Sequence, residues 1–219
     1  MIVPFEPARA EIRVVNSRFI ASLEPVDSVE AARDFIARTR REFPDATHTV
    51  PAYIVGGGNT TTEYCSDDGE PSGTSGRPLL AVLKGSGLGN AAIAVTRYFG
   101  GTLLGTGGLV KAYSEAGKAV LAVTKRASLV ETGRFRLNLP YNQFDRFRTF
   151  AEGSGAQIVE QEFGESVRLI VDVPISEREA FESAVVSLSS GQTHPALDSV
   201  RMASRLLRNC LIGFPRGPC

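Results

Sequence analysis

The sequence predicts an α+β fold divided into two domains, and three observations carry that prediction. At 219 residues the chain can bury one large core or two modest ones. Short β-type apolar runs are interleaved with longer stretches of helical period along the whole length. Near residues 126–133 (RASLVETG) a long helical pattern ends and a β-α-β-β-α-β pattern begins. The expected division is therefore 1–129, 130–202 and a tail, 203–219.

Composition excludes several classes. With 42% apolar residues and a mean hydropathy of −0.03, the chain is neither disordered nor membrane-embedded in character. No apolar run approaches the roughly 20 residues that span a bilayer, and the opening MIVPFEPARAEIR lacks a basic region followed by an apolar one. A cytoplasmic protein without membrane partners is expected. Cys65, Cys210 and Cys219 are odd in number and form no C-x-x-C pair, which argues against a disulfide framework or a zinc site. Formal net charge is zero, but residues 1–129 hold 14 Lys+Arg against 13 Asp+Glu, whereas residues 130–202 hold 7 against 11. The acidic second domain is a poor general binder of nucleic acid.

Taken in order, residues 8–25 predict one or two strands interrupted at Asn16, Ser17 and Arg18, with Ile12, Val14, Phe19 and Ile20 in the core. Asp27-x-x-Glu30 has the form of a capping box. Behind it Val29, Ala32, Phe35, Ile36 and Phe43 share one helical face that ends before Pro44. Arg33, Arg38, Arg40 and Arg41 occupy the other face, as a solvated surface or an RNA-binding patch. HTVPAYIV predicts a strand, with Pro51 at an edge or a bulge. Pro78 suits the first turn of a short helix that Gly85 ends. AAIAVT (91–96) has the unbroken apolarity of a central strand. A longer helix then starts near Gly107 and runs to about Lys125, with Gly117 marking close packing against the sheet.

In the second domain, strands are expected at 135–139, 157–162, 167–173 and near 197–202. Helices are expected at 143–152 and after the box Ser176-x-x-Glu179. This is the order of a split βαβ, or ferredoxin-like, unit. Phe144, Phe147 and Phe150 form a row at i, i+3, i+6 that belongs in a core rather than against a nucleic-acid base. The tail contains Pro215 and Pro218 and is expected to be mobile.

Two polar, glycine-rich loops dominate the first domain: SDDGEPSGTSGRP (66–78) and RYFGGTLLGTGG (97–108). With NSRFI (16–20), DATHTVPAY (45–53) and the run on through LVKAY, they resemble the YigZ/IMPACT family collinearly over nearly the whole chain. The resemblance implies an N-terminal domain similar to ribosomal protein S5 domain 2 and a C-terminal ferredoxin-like domain similar to the last domain of elongation factor G. It implies no agreed activity for the bacterial members. For the eukaryotic members it implies translational control through protein partners.

The residues themselves offer three constellations. Asp67, Asp68 and Glu70 can hold Mg²⁺ or share a proton, or can cap backbone amides and pair with Arg77. Arg97, beside Tyr98 and Phe99 and above a helix N-terminus that Lys111 follows, can grip an anion or pair internally with an acid of the first loop. His48 is a general base or a hydrogen-bonded structural residue. Cys65, beside the acids, should have a raised thiol pKa and so be no nucleophile. No Walker loop or G-x-G-x-x-G is present, so no nucleotide cofactor is expected.

The resulting expectation is a non-enzymatic, translation-associated protein that binds RNA, the ribosome or a protein partner in a cleft between the two loops. That cleft is formed by Asp67, Asp68, Glu70, Ser72, Thr74, Arg97, Gly100, Gly101, Gly107 and Lys111, with Arg18 and His48 nearby. The alternative is a metal-dependent hydrolase or phosphoryl-transfer enzyme, with a metal on the three carboxylates and Arg97 stabilising developing charge.

Overall fold

The computed structural model describes residues 1–56 and 60–206. Among the described residues ten strands and five α-helices run in the order β1 (Ile2–Pro4), β2 (Ala8–Val14), β3 (Ser17–Pro25), α1 (Val29–Glu42), β4 (His48–Val55), β5 (Thr62–Cys65), α2 (Gly76–Gly85), β6 (Ala91–Tyr98) and α3 (Gly105–Val123). They continue with β7 (Arg126–Leu139), α4 (Tyr141–Ser154), β8 (Gln157–Phe163), β9 (Val167–Pro174), a 3₁₀ turn (Ile175–Glu177), α5 (Arg178–Leu188) and β10 (Ala196–Leu206). The chain forms two compact units, Met1–Ser128 joined by the segment from Ser204, and Leu129–Ala203. No helix among the described residues is long and apolar enough to cross a membrane.

Unit 1 is built on an antiparallel sheet of order β2-β3-β6-β4-β5. On one face Phe19, Leu23, Val50, Ile93 and Val95 pack under Leu79 and Leu83 of α2 and Tyr113 of α3. On the other, Tyr53, Val55, Ala92 and Ala94 receive Ala32, Phe35 and Ile36 of α1. Strand β6 is covered on both faces, which is why its sequence is apolar without alternation. β1 closes the unit by pairing Ile2, Val3 and Pro4 with Ser128, Ala127 and Arg126.

Several expected boundaries move, each for a local reason. The break between β2 and β3 falls at Val15 and Asn16, with Val15 at a φ of 54°, and Ser17 and Arg18 already pair within the strand. The cap of α1 is Ser28 rather than Asp27, its hydroxyl accepting the Ala31 amide at 3.1 Å. Pro51 lies in an inner strand, opposite Ala94. Its carbonyl accepts from Ser66, and because a residue's N–H and C=O point the same way in a strand, the missing N–H faces the side where the β5 ladder has already ended. Gly117 is closed off by α2, not by the sheet: a Cβ there would come 3.0 Å from Leu79 and 3.3 Å from Val82.

Unit 2 carries the order β-α-β-β-α-β on a sheet ordered β10-β7-β9-β8. Phe135, Leu137, Leu139, Leu169 and Val171 face Phe147, Phe181 and Val185 of the two helices, with Phe144 and Phe150 packed against them, so the phenylalanine row is core. The expected box at Ser176 does not cap a helix. A 3₁₀ turn occupies that segment, and α5 opens at Arg178 without a side-chain cap. Residues 126–133, expected as a boundary, are strand, and β10 runs on to Leu206. The rest of the expected mobile tail, 207–219, lies outside the described residues.

Candidate functional site

The acidic loop is organised from within. Asp67 accepts four hydrogen bonds: from the amides of Gly73 (2.8 Å), Ser75 (3.1 Å) and Gly76 (2.8 Å) and from the Ser75 hydroxyl (2.8 Å). It thereby caps α2 from outside the helix, which explains why α2 opens at Gly76 and not at Pro78. Burial pushes its pKa up, but the bonds from Gly73, Gly76 and Ser75 outweigh that and hold the carboxyl below its ordinary range. Gly76 has no room for a side chain, since a Cβ would stand 2.6 Å from the Ser66 carbonyl oxygen. Asp68, at a φ of 47°, accepts the Thr49 amide at 2.7 Å and pairs with Arg40 at 2.5 Å.

Glu70 turns inward instead. Its Oε1 accepts Nη1 of Arg97 and the hydroxyl of Tyr113, both at 2.7 Å, and both Glu70 and Arg97 are buried. Burial first, then the hydrogen bond and charge of Glu70, raise the Tyr113 pKa far above its usual value, so the phenol stays protonated and donates. The Arg97 guanidinium lies over the rings of Phe19 (5.6 Å) and Phe99 (5.5 Å), and its Nη2 donates to the Ser17 hydroxyl at 3.4 Å. Its Nε is buried with no acceptor among the described residues. His48, opposite Arg97 in the sheet, places Nδ1 2.7 Å from the Asp68 carbonyl oxygen and Nε2 4.0 Å from Glu70. Because a carbonyl can only accept, Nδ1 carries the proton.

The structure therefore brings His48, Asp68, Glu70 and Arg97 together, as the sequence suggested, but as a closed network. Arg97 takes the internal pairing, and at 5% exposure it is corrected from ligand contact to core ion pair. The metal reading is corrected as well. Asp67 points to α2, Asp68 to Thr49 and Arg40, and Glu70 to Arg97, and among the described residues no cluster of three His, Cys, Asp or Glu can hold an ion. Arg40 and Arg97, not Arg77, are the cationic partners. Thr74 is buried and bonds the Pro71 carbonyl at 2.6 Å, while Ser72 is exposed. Arg18 pairs with Glu11 and lies over Tyr98. Burial first, then the Asp67 charge, raises the Cys65 thiol.

The second loop is open. Gly100 lies against the β2–β3 turn, where a Cβ would fall 2.0 Å from the Asn16 carbonyl oxygen, and its amide donates to Ser17. Gly101 and Gly105 hold φ values of 81° and 70°. α3 opens at Gly105, two residues before the expected start, and no side chain among the described residues caps it. Lys111 reaches into solvent, 3.9 Å from Glu115. Around these glycines Val15, Phe99 and Leu103 are exposed, Leu103 by 86%. Sequence reasoning gave Ser17 and Tyr113 no place in the site and read Arg40 only as part of the basic face of α1. Ser17 is visible as a polar residue inside NSRFI, whereas Tyr113 sits in an ordinary helical pattern and gives no signal.

Compared with known proteins, residues 15–121 match the Impact N-terminal domain and residues 137–192 a domain of unknown function, DUF1949. An IMPACT family member of Haemophilus influenzae is 36% identical over 192 residues, 87% of this chain and 93% of its own. IMPACT family member YigZ of Escherichia coli is 35% identical over 191 residues, 87% and 94% of the two chains. A crystal structure of a hypothetical protein, 34% identical, aligns with a TM-score of 0.57 over 90% of this chain and 97% of that one.

Proposed function

The chain belongs to the IMPACT family, and from that premise we propose a translation-associated regulatory protein that acts in the cytoplasm by binding rather than by catalysis. Unit 1 docks on a protein surface of the translation apparatus through the tip formed by the β2–β3 turn, the second glycine loop and the start of α3. We read unit 1 as similar to ribosomal protein S5 domain 2. Unit 2 we read as ferredoxin-like, supported by its element and sheet order.

One observation carries the docking reading. The groups suited to chemistry are engaged internally, whereas Val15, Phe99 and Leu103 stand exposed on a glycine-rich backbone. Clustered apolar exposure of this kind marks an interaction surface. A protein surface is favoured over RNA because Arg18 and Lys111, the free-looking cations assigned to this site, each lie within ion-pair distance of a carboxylate, Glu11 and Glu115.

The test is pelleting with unwashed bacterial ribosomes, which carry their factors, at low and high salt. The wild-type chain should pellet at both, Leu103→Asp should lose most of the bound fraction, and Lys111→Ala should lose little. Failure to pellet, or an unaffected Leu103→Asp, overturns the reading. Binding that vanishes at high salt and with Lys111→Ala assigns the surface to RNA instead.

A further inference from the structure

We infer that the free edge of β8 in unit 2 receives an extended protein segment in which basic and apolar residues alternate, added to the sheet as a further strand. The surface belongs to unit 2, and its occupant does not depend on what unit 1 docks on.

β8 ends its sheet, paired with β9 on one side and with no strand among the described residues on the other. Backbone N–H and C=O groups along that outer side therefore lack ladder partners. All of its residues except Ile158 are exposed. Phe163 closes the strand at 53% exposure, stacked 6.3 Å from Tyr141, itself 52% exposed, and 5.5 Å from Phe144 in an edge contact. The Tyr141 hydroxyl donates to the Gly164 carbonyl at 2.8 Å, which fixes that ring beside the end of the strand. A half-exposed aromatic pair flanking an open strand edge marks a contact surface.

The register sets the chemistry of what fits, because directly opposed residues share a face. Ile158, Gln161 and Phe163 oppose Val171, Leu169 and Val167 of the core, so they lie on the helix side. Glu160 and Glu162 oppose Ile170 and Arg168 on the open side. An added strand thus places apolar side chains beside Phe163 and Tyr141 and cations beside the two glutamates. Glu162 meets Arg168 at 3.4 Å, but with the side chains 71% and 67% exposed the pair is too solvated to spend the charge. Glu165 in the following turn adds a third acid, and β8 itself contains no Lys or Arg. RNA would meet carboxylates where it needs cations. A second copy of β8 would set Glu160 and Glu162 against their own kind. The bulge at Val159 bends the strand, so the pairing stretch is residues 160–163, the end that the rings flank.

The experiment titrates the ¹⁵N-labelled full chain with four probes: Gly-Lys-Val-Arg-Val-Lys-Val-Gly, the same residues reordered as Gly-Lys-Arg-Lys-Val-Val-Val-Gly, a version with Glu for every Lys and Arg, and oligouridylate. The alternating basic peptide should shift the amides of residues 160–163 saturably. It should also slow hydrogen exchange at those amides of the stretch that do not bond to β9, which attraction of charge alone would not do. The reordered peptide should bind roughly tenfold more weakly, and the acidic peptide and oligouridylate should leave these amides unmoved. Glu160→Lys combined with Glu162→Lys, two exposed positions outside the core, should weaken the basic peptide about tenfold or more. Outward amides that gain no protection, a reordered or acidic peptide that binds as tightly, shifts with oligouridylate, or an undiminished double variant each overturn the inference.

Discussion

Replacing Arg97 by methionine tests whether the buried pair organises unit 1. Methionine keeps the length and packing of the side chain but leaves the Glu70 carboxylate, 3% exposed, with Tyr113 as its remaining strong donor. Breaking a buried pair on one side typically costs about 3–5 kcal/mol, because the other charge stays desolvated. Changing Glu70 to Gln in the same chain removes that charge and preserves an acceptor for Tyr113, so the double variant should cost only about 1–2 kcal/mol. The double variant should therefore be roughly 2–3 kcal/mol more stable than Arg97→Met alone, and the cost of Glu70→Gln alone, which strands the guanidinium, adds to the coupling. Two units need not unfold in one transition. Urea unfolding is accordingly paired with hydrogen exchange at the β6 amides, which reports on unit 1 itself. A cost under about 1 kcal/mol for Arg97→Met, or a double variant destabilised by the sum of the two singles, would refute the reasoning.

Asp67 predicts a pH dependence. Its folded pKa lies below the unfolded value, so its contribution is fully present above the ordinary carboxyl range of about 3.9 and is lost as pH falls through the lower, folded value. Urea midpoints should fall on that acid limb for the wild type and stay flatter for Asp67→Asn, which should cost about 2 kcal/mol at neutral pH. Gly100→Ala should cost about 2–3 kcal/mol, because the added Cβ meets the rigid Asn16 backbone. Gly101→Ala, strained only by its φ of 81°, should cost about 1 kcal/mol. Thermal unfolding of the pair, with equal losses at both positions, would exclude the contact as the cause.

How far the chain could be read without coordinates depended on whether the deciding partner was local. The face of α1, the unbroken apolarity of β6 and the phenylalanine row of α4 follow from periodicity and were legible. The partners of Asp67 lie within nine residues, so a capping role was among the alternatives, though its target at Gly76 was not. Glu70, Arg97, Tyr113 and Ser17 meet across separations of 27 to 80 residues, and spacing cannot show that a tyrosine on α3 shares an oxygen with an arginine on β6. β1 was missed for the same reason, since three residues carry no periodicity and only their pairing with 126–128 makes them a strand. The cleft was misjudged because like residue types look alike whether spent or free. All three carboxylates of the first loop are engaged, and the open surface belongs to its glycine-rich neighbour.

The β1–β7 pairing also bears on how the protein is made. Ile2 leaves the ribosome ahead of the unit 1 sheet, yet its ladder partner Ser128 is synthesised only after all five strands of that sheet. At 5–20 residues per second Ile2 must wait roughly 6–25 s for that partner. During this interval the sheet of β2 to β6 can form while β1 still has no ladder partner. Vectorial synthesis thus leaves the latch of this unit until last, and a chain stalled before residue 126 would carry a β1 with nowhere to dock.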